Sequence, residues 1–364
     1  MTYVLLLAGF ALLVAGAEVL VRGAGRVAVR FGLSPIVVGL TVVAFGTSAP
    51  ELAVSVGSAF SGQTGLAVGN VVGSNIANVL LVLGASAAFG GTLVVASKIV
   101  RVDVPLMIGA SVTVLLMSLN GAIGRLEGAL LFACILGYVT FTVMGARNAS
   151  DAEKADFEAE YAADDGPGLG VDVLMIVGGV GALVLGSKWL VDSASEIAAQ
   201  LGVSDLVIGL TVVALGTSAP ELATSLIAAI KGERDIAVGN AVGSNLFNLL
   251  SVLGLTALVA PDGLPVSDDA LRLDMPVMVA VAVACLPVFF NGYSLKRWEG
   301  GLFLAYYIAY ITFLVLTETG SGLRDPFAVV MGVFVIPLTV ITFAVVGWQA
   351  WRSPHNRSPS ALER

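Results

Sequence analysis

Long apolar runs separated by short polar breaks fill most of this chain. The runs match the roughly 20 residues that a helix needs to cross a bilayer. Eleven of them stand out, at about 3–21, 35–60, 66–89, 102–120, 126–145, 171–191, 204–230, 236–260, 273–291, 299–317 and 327–348. A polar stretch at 147–169 with seven acidic residues interrupts the series. The pattern predicts an all-α polytopic membrane protein. It divides into a first unit of five helices at 1–146, an acidic linker at 147–169, a second unit of five helices at 170–318, and an extra helix with a polar tail at 319–364.

The two units repeat each other. Residues 39–55, GLTVVAFGTSAPELAVS, recur at 209–225 as GLTVVALGTSAPELATS. The copies differ only at Phe45/Leu215 and Val54/Thr224. Residues 67–80, AVGNVVGSNIANVL, recur at 237–250 as AVGNAVGSNLFNLL, with the same offset of 170. Asp103-Val104-Pro105 returns as Asp274-Met275-Pro276, and Arg125 as Arg297, at slightly larger offsets.

Loop charges then set the orientation, because Lys and Arg collect on the cytoplasmic side. With the N-terminus outside, fourteen basic residues fall inside and four outside. An odd number of helices per unit makes the second unit run inverted and places the C-terminus in the cytoplasm. Inverted repeats with helices broken near the midplane are a recurrent plan of secondary transporters.

Each GTSAPE copy places a carboxylate, Glu51 or Glu221, inside a membrane-length segment. A charge there costs at least about 2.5 kcal/mol and marks a functional position. Pro50 has no N–H to give the carbonyl of Gly46, so the helix breaks one turn before Glu51. Thr47, Ser48 and Glu51 crowd one face, as do Thr217, Ser218 and Glu221. These patches of carboxylate, hydroxyl and carbonyl oxygen suit hard cations such as Ca²⁺ and Na⁺. In the second motif Asn70, Ser74 and Asn78, and again Asn240, Ser244 and Asn248, recur at spacing four on one helix face. Ser74, Asn78, Ser244 and Asn248 read as completing an ion shell. Asn70, Asn75, Asn240 and Asn245 read equally as helix-packing residues or as supports for the ligands.

Other features exclude more than they assign. The one histidine, His355, lies in the polar tail, which removes His-based zinc sites and Ser-His-Asp chemistry. No nucleophile–base pair suggests an enzyme, and no cofactor is expected. A net charge of −8 does not point to nucleic acid. Met1 leads straight into an apolar run, which does not read as a cleavable signal. Cys134 and Cys285 read as small buried hydrophobes. Asp103 and Asp274 precede proline at predicted helix starts and read as caps or as charges placed at the N-terminal end of the helix dipole. Glu127 and Glu299 are expected near helix starts at the interface, and Lys188 is expected to snorkel.

At the two GTSAPE motifs and at GNVVGSN and GNAVGSN, the chain resembles the cation/Ca²⁺ exchanger superfamily, specifically the prokaryotic sodium/calcium exchangers. The resemblance covers the first ten helices and implies ten helices in inverted repeats, with four ion sites clustered at the midplane. It implies Ca²⁺ ligation by Glu51, Glu221 and the carbonyls of Thr47 and Thr217. It implies Na⁺ ligation by Ala44, Ser48, Ser74, Ala214, Ser218 and Ser244 together with the two glutamates, and it places Asn78 at a site position. Some relatives carry Asp where this chain has Asn248. The expected site charge is therefore −2, which argues for potassium independence. The resemblance also implies that the first and sixth helices slide over a core of the second, third, seventh and eighth. The expected activity is exchange of Na⁺ for Ca²⁺ by alternating access, with H⁺/Ca²⁺ antiport on the same fold as the alternative and a cation channel as a third reading. A monomer suffices for any of these.

Overall fold

The computed structural model describes residues 1–31, 33, 35–62, 64–146, 168–202, 214–290, 292–341 and 344. Among the described residues, nine helices are long and apolar enough to span a membrane, and a bent pair makes a tenth span. The first unit contains α1 (Thr2–Phe31), the bent pair α2 (Ile36–Thr47) and α3 (Ala49–Phe60), α4 (Thr64–Gly90), α5 (Ile99–Asn120) and α6 (Arg125–Ala146). The second contains α7 (Leu169–Gln200), α8 (Ala214–Thr217), α9 (Ala219–Lys231), α10 (Arg234–Val259), α11 (Ala270–Phe290) and α12 (Arg297–Glu318). A further helix, α13 (Arg324–Ile341), follows. Of the run expected at 204–230, the part before Ala214 lies outside the described residues.

The middle of the bundle is α4 and α10. They are the most deeply buried spans, while α1, α7, α12 and α13 turn most of their surface outward. Two short antiparallel ribbons tie the units together. β1 (Leu93–Val94) pairs with β4 (Ser294–Leu295), and β2 (Ala122–Ile123) pairs with β3 (Leu264–Pro265). Each ribbon joins segments that the loop charges put on the same side of the membrane.

α1 and α7 pack along each other through glycines spaced seven apart. Gly9 faces Gly186, and Gly16 faces Gly179. A Cβ on Gly16 would come within 2.9 Å of the Gly179 carbonyl, and one on Gly179 within 2.8 Å of the Leu20 amide. Close approach of backbones is the main attraction available between helices in lipid, where apolar side chains gain nothing by leaving the solvent. The end of this pair is clamped by charge. Asp172 of α7 is fully buried and lies 3.1 Å from Arg30 and 4.0 Å from Arg26 of α1.

Two expectations fail. Asp103 and Asp274 are not caps, because their helices begin one turn earlier, at Ile99 and Ala270. Both lie in helical backbone and bind the neighbouring helix instead. Tyr138 donates to Asp103 at 3.2 Å, with Lys98 at 3.5 Å, and Tyr310 donates to Asp274 at 2.8 Å. The residues before each proline continue the helical turn, which displaces the start. Cys285 is buried as expected, but Cys134 is exposed on the outer surface of α6. Both segments are equally apolar, so only packing separates them. Glu127 and Glu299 do sit at helix starts, where their carboxylates accept the Gly124 and Lys296 amides at 2.6 and 2.8 Å.

The glycine seam predicts that Gly179→Ala destabilises the protein by about 1–3 kcal/mol, the usual cost of overpacking. Gly181→Ala on the same helix meets no neighbour within 4 Å and should leave stability unchanged. Denaturation midpoints in detergent compare the two, and equal effects would contradict the seam.

Candidate ion-binding site

The site begins with a break in the helix. Ser48 and Ser218 leave helical geometry, with φ/ψ of −79°/3° and −87°/6°. Pro50 and Pro220 then occupy the first turn of α3 and α9. Proline is tolerated there because a first-turn N–H has no partner within the helix. The axes of α2 and α3 differ by 42°. Glu51 and Glu221 fall in the first turn beyond the break, and the carbonyls at the end of α2 carry the negative end of a helix dipole.

Both carboxylates are fully buried and lie close enough for their charges to interact. Ser48 Oγ donates to Glu221 Oε1 at 3.4 Å, and Ser74 Oγ donates to Glu51 Oε1 at 3.5 Å. The first contact joins the break of one unit to the carboxylate of the other. These bonds are long, and the second oxygen of each carboxylate has no hydrogen-bond partner. Among the described residues, no Lys or Arg pairs with either glutamate. Two buried negative charges without a basic partner are costly unless a cation or a proton meets them.

The other sequence candidates divide into two groups. Asn78, Asn248 and Ser218 are buried, and none of their side-chain polar atoms has a partner. Asn78 opens a π-helical turn, Asn78–Leu83 in α4, and Asn248 is the second residue of another, Phe247–Val252 in α10. Ser244 is buried and meets the Thr47 hydroxyl at 3.3 Å. Ala44 is buried at the start of the last turn of α2, and Ala214 begins α8. Thr217 is half-buried at the end of α8, at the position that Thr47 takes in α2.

The second group positions the first. Asn70 donates to the Glu51 carbonyl at 3.3 Å and to Ser55 Oγ at 3.0 Å. Asn240 repeats this, to the Glu221 carbonyl at 3.4 Å and Ser225 Oγ at 2.9 Å, while accepting from Thr47 at 3.1 Å. Each asparagine therefore anchors the backbone that carries a carboxylate. Asn75 and Asn245 point elsewhere, to the Val71 carbonyl at 2.7 Å and to Met107 Sδ at 3.2 Å. Ser55 and Ser225 escaped the sequence reading, although both close the seventeen-residue repeat one turn after the glutamate.

The two approaches to the site differ. α1 lies along α9, and its Glu18 carboxylate sits 3.0 Å from Lys231. The symmetry-related pairing, α7 along α3, is not made among the described residues. Val54 on α3 is accordingly 38% exposed, while its counterpart Thr224 on α9 is fully buried. α2 also packs tightly on α10, where a Cβ on Gly243 would come within 2.9 Å of the Leu40 backbone. Among the described residues the equivalent part of α4 is less covered, with Gly69 exposed and Asn70 half-buried.

The chain is similar to several known proteins. The sequence model of the family described as "Sodium/calcium exchanger protein" matches residues 1–144 and 171–316. The chain is 39% identical over 290 residues to the putative antiporter CaxA of Alkalimonas amylolytica, covering 78% of this chain and 89% of that one. It is 32% identical to the sodium/calcium exchanger MaX1 of Methanosarcina acetivorans, covering 86% and 98%. Among solved structures, the sodium-calcium exchanger NCX_Mj soaked with Na⁺ superposes with a TM-score of 0.73 at 30% identity, over 85% of this chain and 98% of that one.

The anchoring role predicts unequal effects of one substitution. Asn240→Ala strands several buried groups and should cost about 1–3 kcal/mol. Asn70→Ala, at a half-buried position with fewer bonds, should cost less. Unfolding midpoints of the two variants test this, and an equal or reversed order would contradict it.

Proposed function

Because the chain belongs to the sodium/calcium exchanger family, we propose that it is a secondary antiporter that moves Ca²⁺ against Na⁺ through the paired-glutamate site. Membership makes it a multi-pass membrane transporter of cation/Ca²⁺ exchange type built from inverted repeats. The coupling ion is the part proposed. The observation that carries the reading is the pair of buried carboxylates, Glu51 and Glu221, with no basic partner among the described residues.

In this reading Ca²⁺ binds between the two carboxylates and the carbonyls of Thr47 and Thr217, at the ends of the broken half-helices. Two negative charges balance one Ca²⁺ or two Na⁺. Na⁺ takes overlapping oxygens from Glu51, Glu221, Ser48, Ser74, Ser218 and Ser244 and the carbonyls of Ala44 and Ala214. Shared carboxylates make the two occupancies mutually exclusive, which is the basis of exchange. Asn78 and Asn248 contribute neutral oxygen, so nothing in the site calls for K⁺. Neutral amide and hydroxyl oxygens also favour Na⁺ over H⁺ as the counter-ion, since a carboxylate alone is enough to carry a proton.

The unequal approaches fit an alternating-access cycle. The side sealed by α1, α9 and the Glu18–Lys231 pair is cytoplasmic by the loop charges, and the open side along α3 faces outward. Sliding of the clamped α1–α7 pair would bring α7 onto α3 and release α9, reversing access.

In proteoliposomes an outward Na⁺ gradient should drive Ca²⁺ uptake, and replacing external choline by K⁺ should not change the rate. Glu51→Gln and Glu221→Gln should each abolish uptake. Full flux in either variant would refute the site. Uptake driven by a pH gradient in the absence of Na⁺ would refute Na⁺ coupling.

A further inference from the structure

The duplication builds the same groove twice on the flank of the bundle, and the two copies are finished differently. In the second unit α11, α12 and Leu80 of α4 form a groove lined by Leu273, Val277, Phe303, Tyr306 and Tyr310. α13 lies along it, held by the Tyr306 hydroxyl, which donates to Thr339 Oγ1 at 2.6 Å. In the first unit the corresponding positions, offset by 170–172, are Val102, Leu106, Leu131, Cys134, Tyr138 and Leu250. They line a groove of about 790 Å³ that no described helix covers. Gly109 and Gly137 deepen it where the second copy has Ala280 and Ala309.

The ends of the grooves also differ. Arg101 lines the mouth of the uncovered groove, at the start of α5. Its guanidinium is exposed and donates to the neutral Tyr293 hydroxyl at 3.0 and 3.3 Å. Asp103, two residues on, is buried and already engaged by Lys98 and Tyr138. The counterpart of Arg101 is Arg272, and that cation lies 3.6 Å from Asp268. The groove that α13 flanks thus ends in a paired charge, and among the described residues the open one ends in a cation without a carboxylate partner. A cation at the end of an apolar bore, at the end of a membrane helix, has the form of a phospholipid.

We propose that the first-unit groove holds an anionic phospholipid, with its phosphate on Arg101 and an acyl chain along Leu106, Cys134 and Tyr138. The lipid takes in this unit the space that α13 takes in the other. The loop charges put Arg101 in the cytoplasmic leaflet, where anionic lipids are attracted to basic residues at membrane-helix ends. The assignment is independent of which cation is exchanged.

The test reconstitutes the full chain in phosphatidylcholine vesicles containing spin-labelled phosphatidylglycerol or spin-labelled phosphatidylcholine, and reads the motionally restricted component of each. Wild type should prefer phosphatidylglycerol by about fivefold, the ratio expected for one basic residue. Arg101→Gln should remove the preference. Gly137→Leu should shrink the restricted component for both lipids. A side chain fits there, since a Cβ on Gly137 meets nothing within 4 Å, and retained Ca²⁺ flux would show that the variant folds. An unchanged preference in Arg101→Gln overturns the proposal even if Gly137→Leu does not fold. So does a cross-linkable dimer that Gly137→Leu abolishes while lipid selectivity persists, because the groove would then seat a helix of a second copy.

Discussion

Two carboxylates held side by side in a low-dielectric interior, without a basic partner, set the terms for the rest of this structure. Isolated charges there carry desolvation penalties of several kcal/mol each. Folding alone offers no return for that cost, and in the proposed function a transported cation does. The surrounding architecture keeps the pair together and keeps it from being satisfied internally. Serine hydroxyls reach the carboxylates only at 3.4–3.5 Å, and the asparagines that could bind them bind their backbones instead. Each proline also lacks the N–H that the carbonyl four residues back would accept, at a depth where lipid offers no donor.

Duplication turns this local arrangement into a two-sided one. Each unit supplies one break, one glutamate and one Asn-Ser-Asn stripe, and Ser48 and Thr47 cross from the first unit to residues of the second. The same residue types therefore stand on both approaches to the site, yet the described residues close only one of them. That inequality can reverse without altering the site, because α1 and α7 touch through a glycine seam and are clamped at one end by Asp172 with Arg26 and Arg30. In the proposed cycle the clamped pair moves as one body, so that opening one approach closes the other.

Much of this was legible in the sequence because it was written twice. The apolar runs gave the spans, the repeat gave the two units, and a carboxylate behind a proline in lipid gave Glu51 and Glu221. What remained hidden depends on direction and packing. Asn70, Asn75 and Asn78 are one residue type on one helix, and only packing makes the first an anchor, the second a local bond and the third a buried group without a partner. The Asp103 and Asp274 caps were misjudged because proline marks a first turn without fixing where that turn begins. The partner of Asp172 lies 142 residues away, and no local pattern announces it. The glycine seam was readable, with Gly9, Gly16 and Gly23 at period seven opposite Gly179 and Gly186, but it is easily lost among 43 glycines.

The central claim is that one pair of carboxylates serves both ions in turn. Equilibrium Ca²⁺ binding to the purified protein, titrated at rising Na⁺ and constant pH, tests it most directly. Competition at shared oxygens predicts that the apparent Ca²⁺ affinity falls steadily as Na⁺ rises, while K⁺ at the same ionic strength has no such effect. Ca²⁺ binding that is indifferent to Na⁺ but displaced by acid would contradict the account.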